Sequence, residues 1–451
     1  MTEHTTYRLA MLLPDSRQLL GIVGSSSVEL PRISVPKQER AAEQLTTLVE
    51  DKWQIKTVVL DVLRDASAST PCAIMEVRTA TQVFRCNGLV PVQLHSISEA
   101  SLRESESCIV TSVLAGDVIE GNPFARLNWV DDVQQWIRKE IHDHDVRFTD
   151  DISHFNAGGG FSLVRFGTVQ GPAYWLKAVG VPNLHEFGIT KALAERLPNY
   201  LPPIVAMRDD WNAWITKEAG SPLSDSFTLP SVQSAVIALA KLQRDSVEHR
   251  DALRVAGCTD CSITVLEAKL RDITEHLEEA MSRQTSTKEA PLEAVRLHEL
   301  EQILREACSR MQDLCIPDTL IHNDINAGNI LLSDSRCFFI DWAEGLTGNP
   351  LMTFQHICAQ VLRNDPDADR WLQEIRSSYR AVWLDMLSET QINRAYALMP
   401  ILALVSYLSG NGAWLSSAER DLPHFQAHSR SLARYIDRAA RTLKLKEAVC
   451  H

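Results

Sequence analysis

The chain has 451 residues, of which 45% are hydrophobic and 23% charged, with a formal net charge of −13. This composition fits a globular protein of two or three domains, and no apolar run approaches the roughly 20 residues of a membrane span. The acidic balance disfavours nucleic-acid and anionic-membrane partners, and the absence of a secretion-type start predicts a cytoplasmic protein.

The first 125 residues have the pattern of a small α+β domain. Apolar alternation and helical periodicity predict strands at 7–13, 19–23, 28–33, 57–63, 73–77 and 90–97, and helices at 39–53 and 99–106. This order resembles the Nudix fold. A Nudix catalytic helix would carry Arg-Glu where Thr46 and Thr47 stand, and only Glu50 and Asp51 supply its acids. We therefore predict a non-catalytic binding or docking domain that folds alone.

Residues 126–152 are predicted to connect this domain to the rest of the chain. A helical pattern covers residues 128–141. The polar run His142-Asp143-His144-Asp145 follows it and has no apolar period, so an exposed linker is predicted there rather than a metal site.

A glycine-rich turn and a lysine-bearing strand follow in residues 153–220. Gly158, Gly159 and Gly160 precede Ser162 and a strand at 161–166, and such glycines allow amide groups to approach phosphate oxygens. The next strand, 173–179, places Lys177 between apolar neighbours. A lysine in that setting requires a partner charge, and the helix at 185–197 offers one.

The stretch Ile-His-Asn-Asp-Ile-Asn-Ala-Gly-Asn at residues 321–329 is followed by a strand that ends at Asp341. Phosphoryl transfer needs a carboxylate that orients the acceptor hydroxyl and takes its proton, and Asp324 fits this role. It also needs hard oxygen ligands for Mg²⁺, which Asn329 and Asp341 supply. His322 is expected to anchor the loop by hydrogen bonds rather than to react.

These residues resemble the aminoglycoside phosphotransferase and choline kinase-like superfamily over about residues 153–440. That family has a His-Gly-Asp-(x)4-Asn loop before an Ile-Asp-Trp strand end, and a Gly-Asp-Pro segment downstream. Here Asn323 replaces the glycine and Asn349 the aspartate. The departures concern substrate detail rather than the reaction.

The resemblance implies an α+β multidomain protein with a protein-kinase-like bilobal fold after the N-terminal domain. Residues 153–220 would form a strand-rich lobe and residues 221–451 a helical lobe with an acceptor-binding cap. Lys177 would contact the α- and β-phosphates, with Glu186 as its partner and Glu195 as the alternative. Backbone groups from Glu218 to Gly220 would bind the nucleobase.

The predicted activity is transfer of the γ-phosphate of ATP or GTP, with Mg²⁺, to a hydroxyl of a small molecule. A sugar, amino sugar, aminoglycoside or amino alcohol are all open as acceptors. Glu344 is predicted either to bind a substrate amine or hydroxyl, or only to cap a turn. The alternatives are a protein kinase, which the lack of an Asp-Phe-Gly segment disfavours, and a catalytically inactive nucleotide-binding scaffold.

Overall fold

The computed structural model describes residues 3–24, 27–63, 70–78, 88–117, 119, 121–142, 145–333, 336–364, 367–410 and 418–449. The chain forms two compact units. The first comprises Met1–Phe187 with Pro203–Glu218, and the second comprises Gly188–Pro202 with Ala219–His451.

The first unit contains two sheets and the helices that cover them. Its strands are β1 (His4–Leu13), β2 (Gln18–Val23), β3 (Val28–Glu29), β4 (Arg32–Pro36), β5 (Thr57–Leu63), β6 (Cys72–Val77), β7 (Val90–Val92), β8 (Phe148–Asn156), β9 (Phe161–Thr168), β10 (Tyr174–Val179), β11 (Ile204–Arg208) and β12 (Ala213–Lys217). Its helices are α1 (Ala41–Trp53), α2 (Glu104–Ala115) and α3 (Trp129–Glu140), while α4 (His185–Arg196) continues into the second unit.

The N-terminal sheet has seven strands in the order β3-β2-β1-β6-β5, with β4 paired to β1 and β7 to β2. Strand β1 lies at its centre and pairs in parallel only with β6. Successive side chains of a strand point to opposite faces. Accordingly Leu9 and Met11 pack in the cluster that contains residues of α1, whereas Ala10 and Leu12 pack in the cluster on the other face.

The core on that other face crosses the domain boundary predicted at residue 125. Strands β8 to β12 form an antiparallel sheet in the order β11-β12-β10-β9-β8. Its Phe166 and Leu176 belong to the same buried cluster as Leu12. The Trp129 ring lies 6.4 Å from Phe166 and 5.9 Å from His154. The N-terminal strands and the second sheet therefore share one core, and independent folding of the first 125 residues remains a prediction.

Two local predictions differ from the structure. The helix predicted at 99–106 is wrong, since α2 begins only at Glu104, where Glu106 accepts bonds from the Arg8 guanidinium at 2.6 and 2.7 Å and from the amide of Arg103. Strand β8 starts at Phe148, so part of the predicted linker is a strand. Asp143 and His144 lie outside the described residues, and the Nudix resemblance stays a prediction.

The second unit is mainly helical. Its strands are β13 (Ser221–Pro222), β14 (Thr259–Cys261), β15 (Thr319–His322), β16 (Ile330–Leu332), β17 (Cys337–Phe339) and β18 (Gly345–Gly348). Its further helices are α5 (Leu229–Ser246), α6 (Arg250–Ala256), α7 (Ile263–Ser282), α8 (Ala294–Gln312), α9 (Leu351–Asn364), α10 (Ala368–Trp383), α11 (Glu389–Gly410) and α12 (Pro423–Val449). The strands form two small sheets, β13-β16-β17 and β14-β18-β15.

The predicted fold class, α+β with a strand-rich part and a helical part, is confirmed. In the described part of the chain, no helix has both the length and the apolar character that would let it cross a membrane.

Candidate active site

In the first unit, Lys177 forms an ion pair with Glu186. Lys177 projects from β10 and Glu186 lies in the first turn of α4, with 2.5 Å between Nζ and Oε1. The two side chains are only 12% and 2% exposed. The lysine ammonium also lies 5.0 Å from the centre of the Phe161 ring. The structure thus joins the lysine to the first of its two predicted partners rather than to Glu195.

The glycine turn between β8 and β9 is set by backbone crowding. Gly158 has φ of +120°, a conformation that side chains rarely adopt. A Cβ on Gly159 would lie 2.6 Å from the carbonyl oxygen of Gly121, so only glycine fits there. Ser162 is buried and donates through its hydroxyl to the carbonyl of Gly158 at 3.1 Å. The turn therefore packs closely against the segment just before α3.

The segment predicted to bind the nucleobase is partly used by the fold itself. The amide of Glu218 donates to the carbonyl of Ala173 at 2.9 Å, which continues the pairing of β12 with β10. Its carboxylate accepts a bond of 2.7 Å from Arg165, and this guanidinium lowers the pKa of Glu218. In the second unit, Gly220 has φ of +76°, and a Cβ there would clash with the Leu332 carbonyl.

In the second unit, His322 anchors the start of the catalytic loop. It is the last residue of β15 and is 1% exposed. Its amide donates to the hydroxyl of Thr353 at 3.0 Å, and its Nε2 donates to the carbonyl of Ile340 at 2.8 Å. Its ring centre lies 4.6 Å from that of Trp342. These contacts tie the loop to both β17 and α9.

Asp324 follows at an exposed position and is held by two asparagines. Asn329 Nδ2 donates to the carbonyl of Asp324 at 2.9 Å and to its carboxylate at 3.3 Å. Asn326 Nδ2 lies 3.5 Å from the same carboxylate. The carboxylate is thus oriented within the loop while it remains accessible to solvent.

The register of the β16–β17 hairpin brings Asn329 next to Asp341. Ile330 pairs with Phe339, and the amide of Ile340 donates to the carbonyl of Asn329 at 3.1 Å. Asp341 then adopts φ of +68° and ψ of +69° before a short 3-10 helix. A non-glycine residue in this left-handed region costs about 1 kcal/mol, and such strain concentrates at functional sites.

The pair Asn329 and Asp341 offers oxygen donors of the type that Mg²⁺ prefers. Because the Asn329 amide nitrogen is bonded to Asp324, its amide oxygen is the atom left to act as a ligand. Across the described ranges, no group of three or more His, Cys, Asp or Glu side chains could hold a metal alone. One carboxylate and one amide fit an ion that shares its coordination with phosphate oxygens.

Polar contacts around the loop join Asn323 and Glu344, which the sequence analysis names, to residues that it did not reveal, Gln360, His356 and Tyr407. Asn323 Nδ2 donates to the Glu344 carboxylate at 3.0 Å, and Gln360 Nε2 donates to the carbonyl of Ile325 at 2.6 Å. Tyr407, in α11, stacks on the His356 ring at 4.4 Å. In the sequence, Tyr407 stands beside Ser406 in the mostly apolar second half of α11, a pattern that does not indicate a site.

Residues 186–397 match the sequence profile of the phosphotransferase enzyme family APH. This part of the chain is similar to that family. The match confirms the predicted resemblance and supports a small-molecule phosphotransferase, an enzyme of the kinase type. No curated protein matches the chain.

Several solved structures are similar to this phosphotransferase. Macrolide 2′-phosphotransferase from Brachybacterium faecium is 14% identical, with 68% of this chain and 98% of that chain covered and a TM-score of 0.42. Ethanolamine kinase from Plasmodium vivax is 16% identical, covering 75% and 95%, with a TM-score of 0.43. Choline kinase from Cryptosporidium parvum Iowa II is 12% identical, covering 66% and 90%, with a TM-score of 0.46. The resemblance to the family rests on the sequence profile and not on these structures.

Proposed function

We propose that this phosphotransferase moves the γ-phosphate of ATP or GTP, in the presence of Mg²⁺, to a hydroxyl of a sugar, amino sugar, aminoglycoside or amino alcohol. The observation that carries the proposal is the arrangement of Asp324, Asn329 and Asp341. The hairpin register pairs Asn329 with Ile340, the residue before Asp341, and the Asn329 amide donates to the Asp324 carboxylate. A base and two metal ligands thus come from one short stretch of chain.

Asp324 is assigned to the acceptor. Its carboxylate orients the acceptor hydroxyl and takes the proton as the oxygen forms its bond to phosphorus and the nucleoside diphosphate leaves. Exposure of this side chain, together with the two asparagine contacts, supports a group that must meet a substrate in a fixed orientation.

Asn329 and Asp341 would hold Mg²⁺, which neutralises charge on the phosphate oxygens when bound. On the nucleotide side, Lys177 is assigned to the α- and β-phosphates, and Glu186 keeps its ammonium in place. The amides of Gly158, Gly159 and Gly160 are assigned to phosphate oxygens, with the buried Ser162 supporting their turn. The carbonyl of Glu218 and the backbone at Gly220 are assigned to the nucleobase.

The test is an acceptor screen with γ-labelled ATP and GTP. The panel contains choline, ethanolamine, a macrolide, an aminoglycoside, a hexose and a hexosamine, each with and without Mg²⁺. We expect label transfer to at least one acceptor, only with Mg²⁺. No transfer to any acceptor, with nucleotide bound normally, would favour the inactive scaffold instead.

Asp324→Asn is the decisive variant in that screen. It should reduce transfer at least ~100-fold because a positioned proton acceptor is lost, while nucleotide affinity stays unchanged. Asp313→Asn, at an exposed aspartate that follows α8, is the matched control and should behave as wild type. Equal rates for Asp324→Asn and wild type would refute the assigned base.

A further inference from the structure

We propose that Asn323 is a positioning residue that holds the Glu344 carboxylate for the acceptor. The inference rests on the proposed function, because it concerns recognition of the molecule that Asp324 activates. Asn323 stands at one of the two positions where this chain departs from the motif it resembles. Neither the family match nor the chemistry of phosphate transfer assigns it a role.

Asn323 contacts Glu344 through both its backbone and its side chain. The Asn323 amide donates to the carbonyl oxygen of Glu344 at 3.2 Å, and its Nδ2 donates to Oε2 at 3.0 Å. A hydrogen bond to a carboxylate is stronger than one between neutral groups. Because Asn323 is only 1% exposed, its side chain has little freedom to release Glu344.

The asparagine is a poor choice for stability alone. Its Oδ1 is buried and has no hydrogen-bond partner among the residues that the structure describes. An unsatisfied buried oxygen is costly, and glycine at this position would remove it. The interaction that balances this cost is the bond that Nδ2 donates to Glu344.

The surroundings of Asn323 connect Glu344 and Asp324 through one residue, Tyr407. His356 Nδ1 donates to the carbonyl of Asn323 at 3.2 Å, and its ring stacks on Tyr407 at an interplanar angle of 5°. Burial raises the pKa of Tyr407 to about 12, and the charges of Asp324 and Glu344 both add to this rise against the opposing charge of Arg363. The two carboxylates therefore act on the same tyrosine hydroxyl.

A carboxylate fixed in this position accepts hydrogen bonds from a donor group of the acceptor, near the hydroxyl that receives the phosphate. Loss of the Asn323 side chain should therefore weaken acceptor binding and leave the chemical step intact. A residue that only supports the fold would instead lower the amount of active protein without changing the acceptor KM.

The test compares Asn323→Gly, Glu344→Ala and the double variant, using the panel acceptor that wild type phosphorylates fastest. We expect each single change to raise the acceptor KM about tenfold, the equivalent of one charge-assisted hydrogen bond. The kcat and the nucleotide KM should stay within about threefold of wild type. The double variant should be no worse than Glu344→Ala, because both changes remove one interaction. Additive effects, or an unchanged acceptor KM in Asn323→Gly, would overturn the proposal.

Asn349→Ala is the matched control. Asn349 is also buried and also departs from the family motif, but its Oδ1 accepts from the amide of Leu351 at the start of α9. This change should lower the melting temperature and leave the acceptor KM unchanged. If Asn349→Ala also raises the acceptor KM, the effect of Asn323→Gly is explained by general destabilisation, and the proposal fails.

A second measurement does not depend on turnover. If wild type phosphorylates no panel acceptor, the proposed function fails, and crystal structures of wild type and Asn323→Gly then decide the role of Asn323 separately. We expect the Glu344 carboxylate to be ordered in wild type and displaced or disordered in Asn323→Gly. A carboxylate at the same position in both structures would overturn the proposal.

Discussion

Lys177 Nζ lies 2.5 Å from Glu186 Oε1, in a pair whose side chains are 12% and 2% exposed. A charge that has been removed from water is tolerable only with its partner in place, so loss of one member costs about 3–5 kcal/mol. The pair therefore has two roles: it stabilises the first unit, and it holds the lysine ammonium in a fixed position.

Glu186→Gln should separate these two roles. We expect the free energy of unfolding to fall by about 3 kcal/mol because the buried Lys177 loses the countercharge of Glu186, and nucleotide-dependent activity to fall at least ~10-fold. Adding Lys177→Met removes the charge that lost its Glu186 partner, so it should restore much of the stability and none of the activity. Activity regained by the double variant would contradict the assignment of Lys177 to the phosphates. The measurements are chemical denaturation and steady-state kinetics.

A pair of substitutions at Asp341 distinguishes strain from metal binding. Its φ of +68° disfavours residues with a Cβ. Asp341→Gly should therefore be at least as stable as Asp341→Ala, while both lose the carboxylate and with it Mg²⁺-dependent nucleotide binding. Calorimetry with Mg²⁺ and a non-hydrolysable nucleotide measures the loss, and thermal melting measures the strain. Unchanged affinity in both variants would exclude Asp341 as a metal ligand.

His154 should make the protein sensitive to acid. Burial lowers its pKa from 6.5 to about 4, and its Nδ1 accepts from the amide of Val59 at 3.2 Å. Below pH 6.5, His154 is protonated in the unfolded chain but stays neutral in the folded protein. The stability that the neutral ring contributes is thus complete above pH 6.5 and declines as the pH falls toward 4.

The size of this effect is roughly 2–3 kcal/mol between pH 6.5 and 4.5, at 1.36 kcal/mol per pH unit. His154→Gln, which keeps an acceptor and does not titrate, should remove that part of the pH dependence of unfolding. His95→Gln, at an exposed histidine, should not. His356 in the second unit, whose pKa burial also lowers to about 4, keeps its own contribution in both variants. Identical pH profiles for His154→Gln and wild type would contradict the prediction.

The shared core of the first unit predicts how the chain tolerates division. Trp129→Ala should cost about 3–5 kcal/mol, since the ring is fully buried among Phe124, His154 and Phe166. Residues 1–140 expressed alone should melt without cooperativity, and mixing them with residues 146–451, which keep the second unit, should restore the transition of the first unit. Cooperative melting of residues 1–140 alone would instead establish the independent domain that the sequence predicts.

The candidate site can be predicted from the sequence better than the core can. Asp324, Asn329 and Asp341 lie within 18 positions, and a loop followed by a hairpin brings them together through local pairing. Lys177 and Glu186 are likewise only nine positions apart, so a strand followed by a helix brings them together. Helix and strand periodicity also placed most elements, because each buries a regular face.

Contacts between segments that are distant in the sequence cannot be predicted from its periodicity. Gly121 against Gly159, Trp129 against Phe166, and Asn323 beside Glu344 depend on which faces meet after folding. The late start of α2 likewise depends on Arg8, far upstream in the sequence, whose guanidinium donates a hydrogen bond to Glu106. Periodicity shows that a face is buried and not what buries it.

The approach of Gly159 to the carbonyl of Gly121 has a consequence for nucleotide affinity. A glycine-rich hairpin tip is ordinarily mobile, and ordering it on a ligand has an entropic cost. Here the tip rests against a neighbouring segment before any ligand arrives, so much of that cost is met during folding. Under the proposed assignment of this turn to the phosphates, substitutions at Gly121 should change nucleotide affinity although Gly121 contacts no ligand.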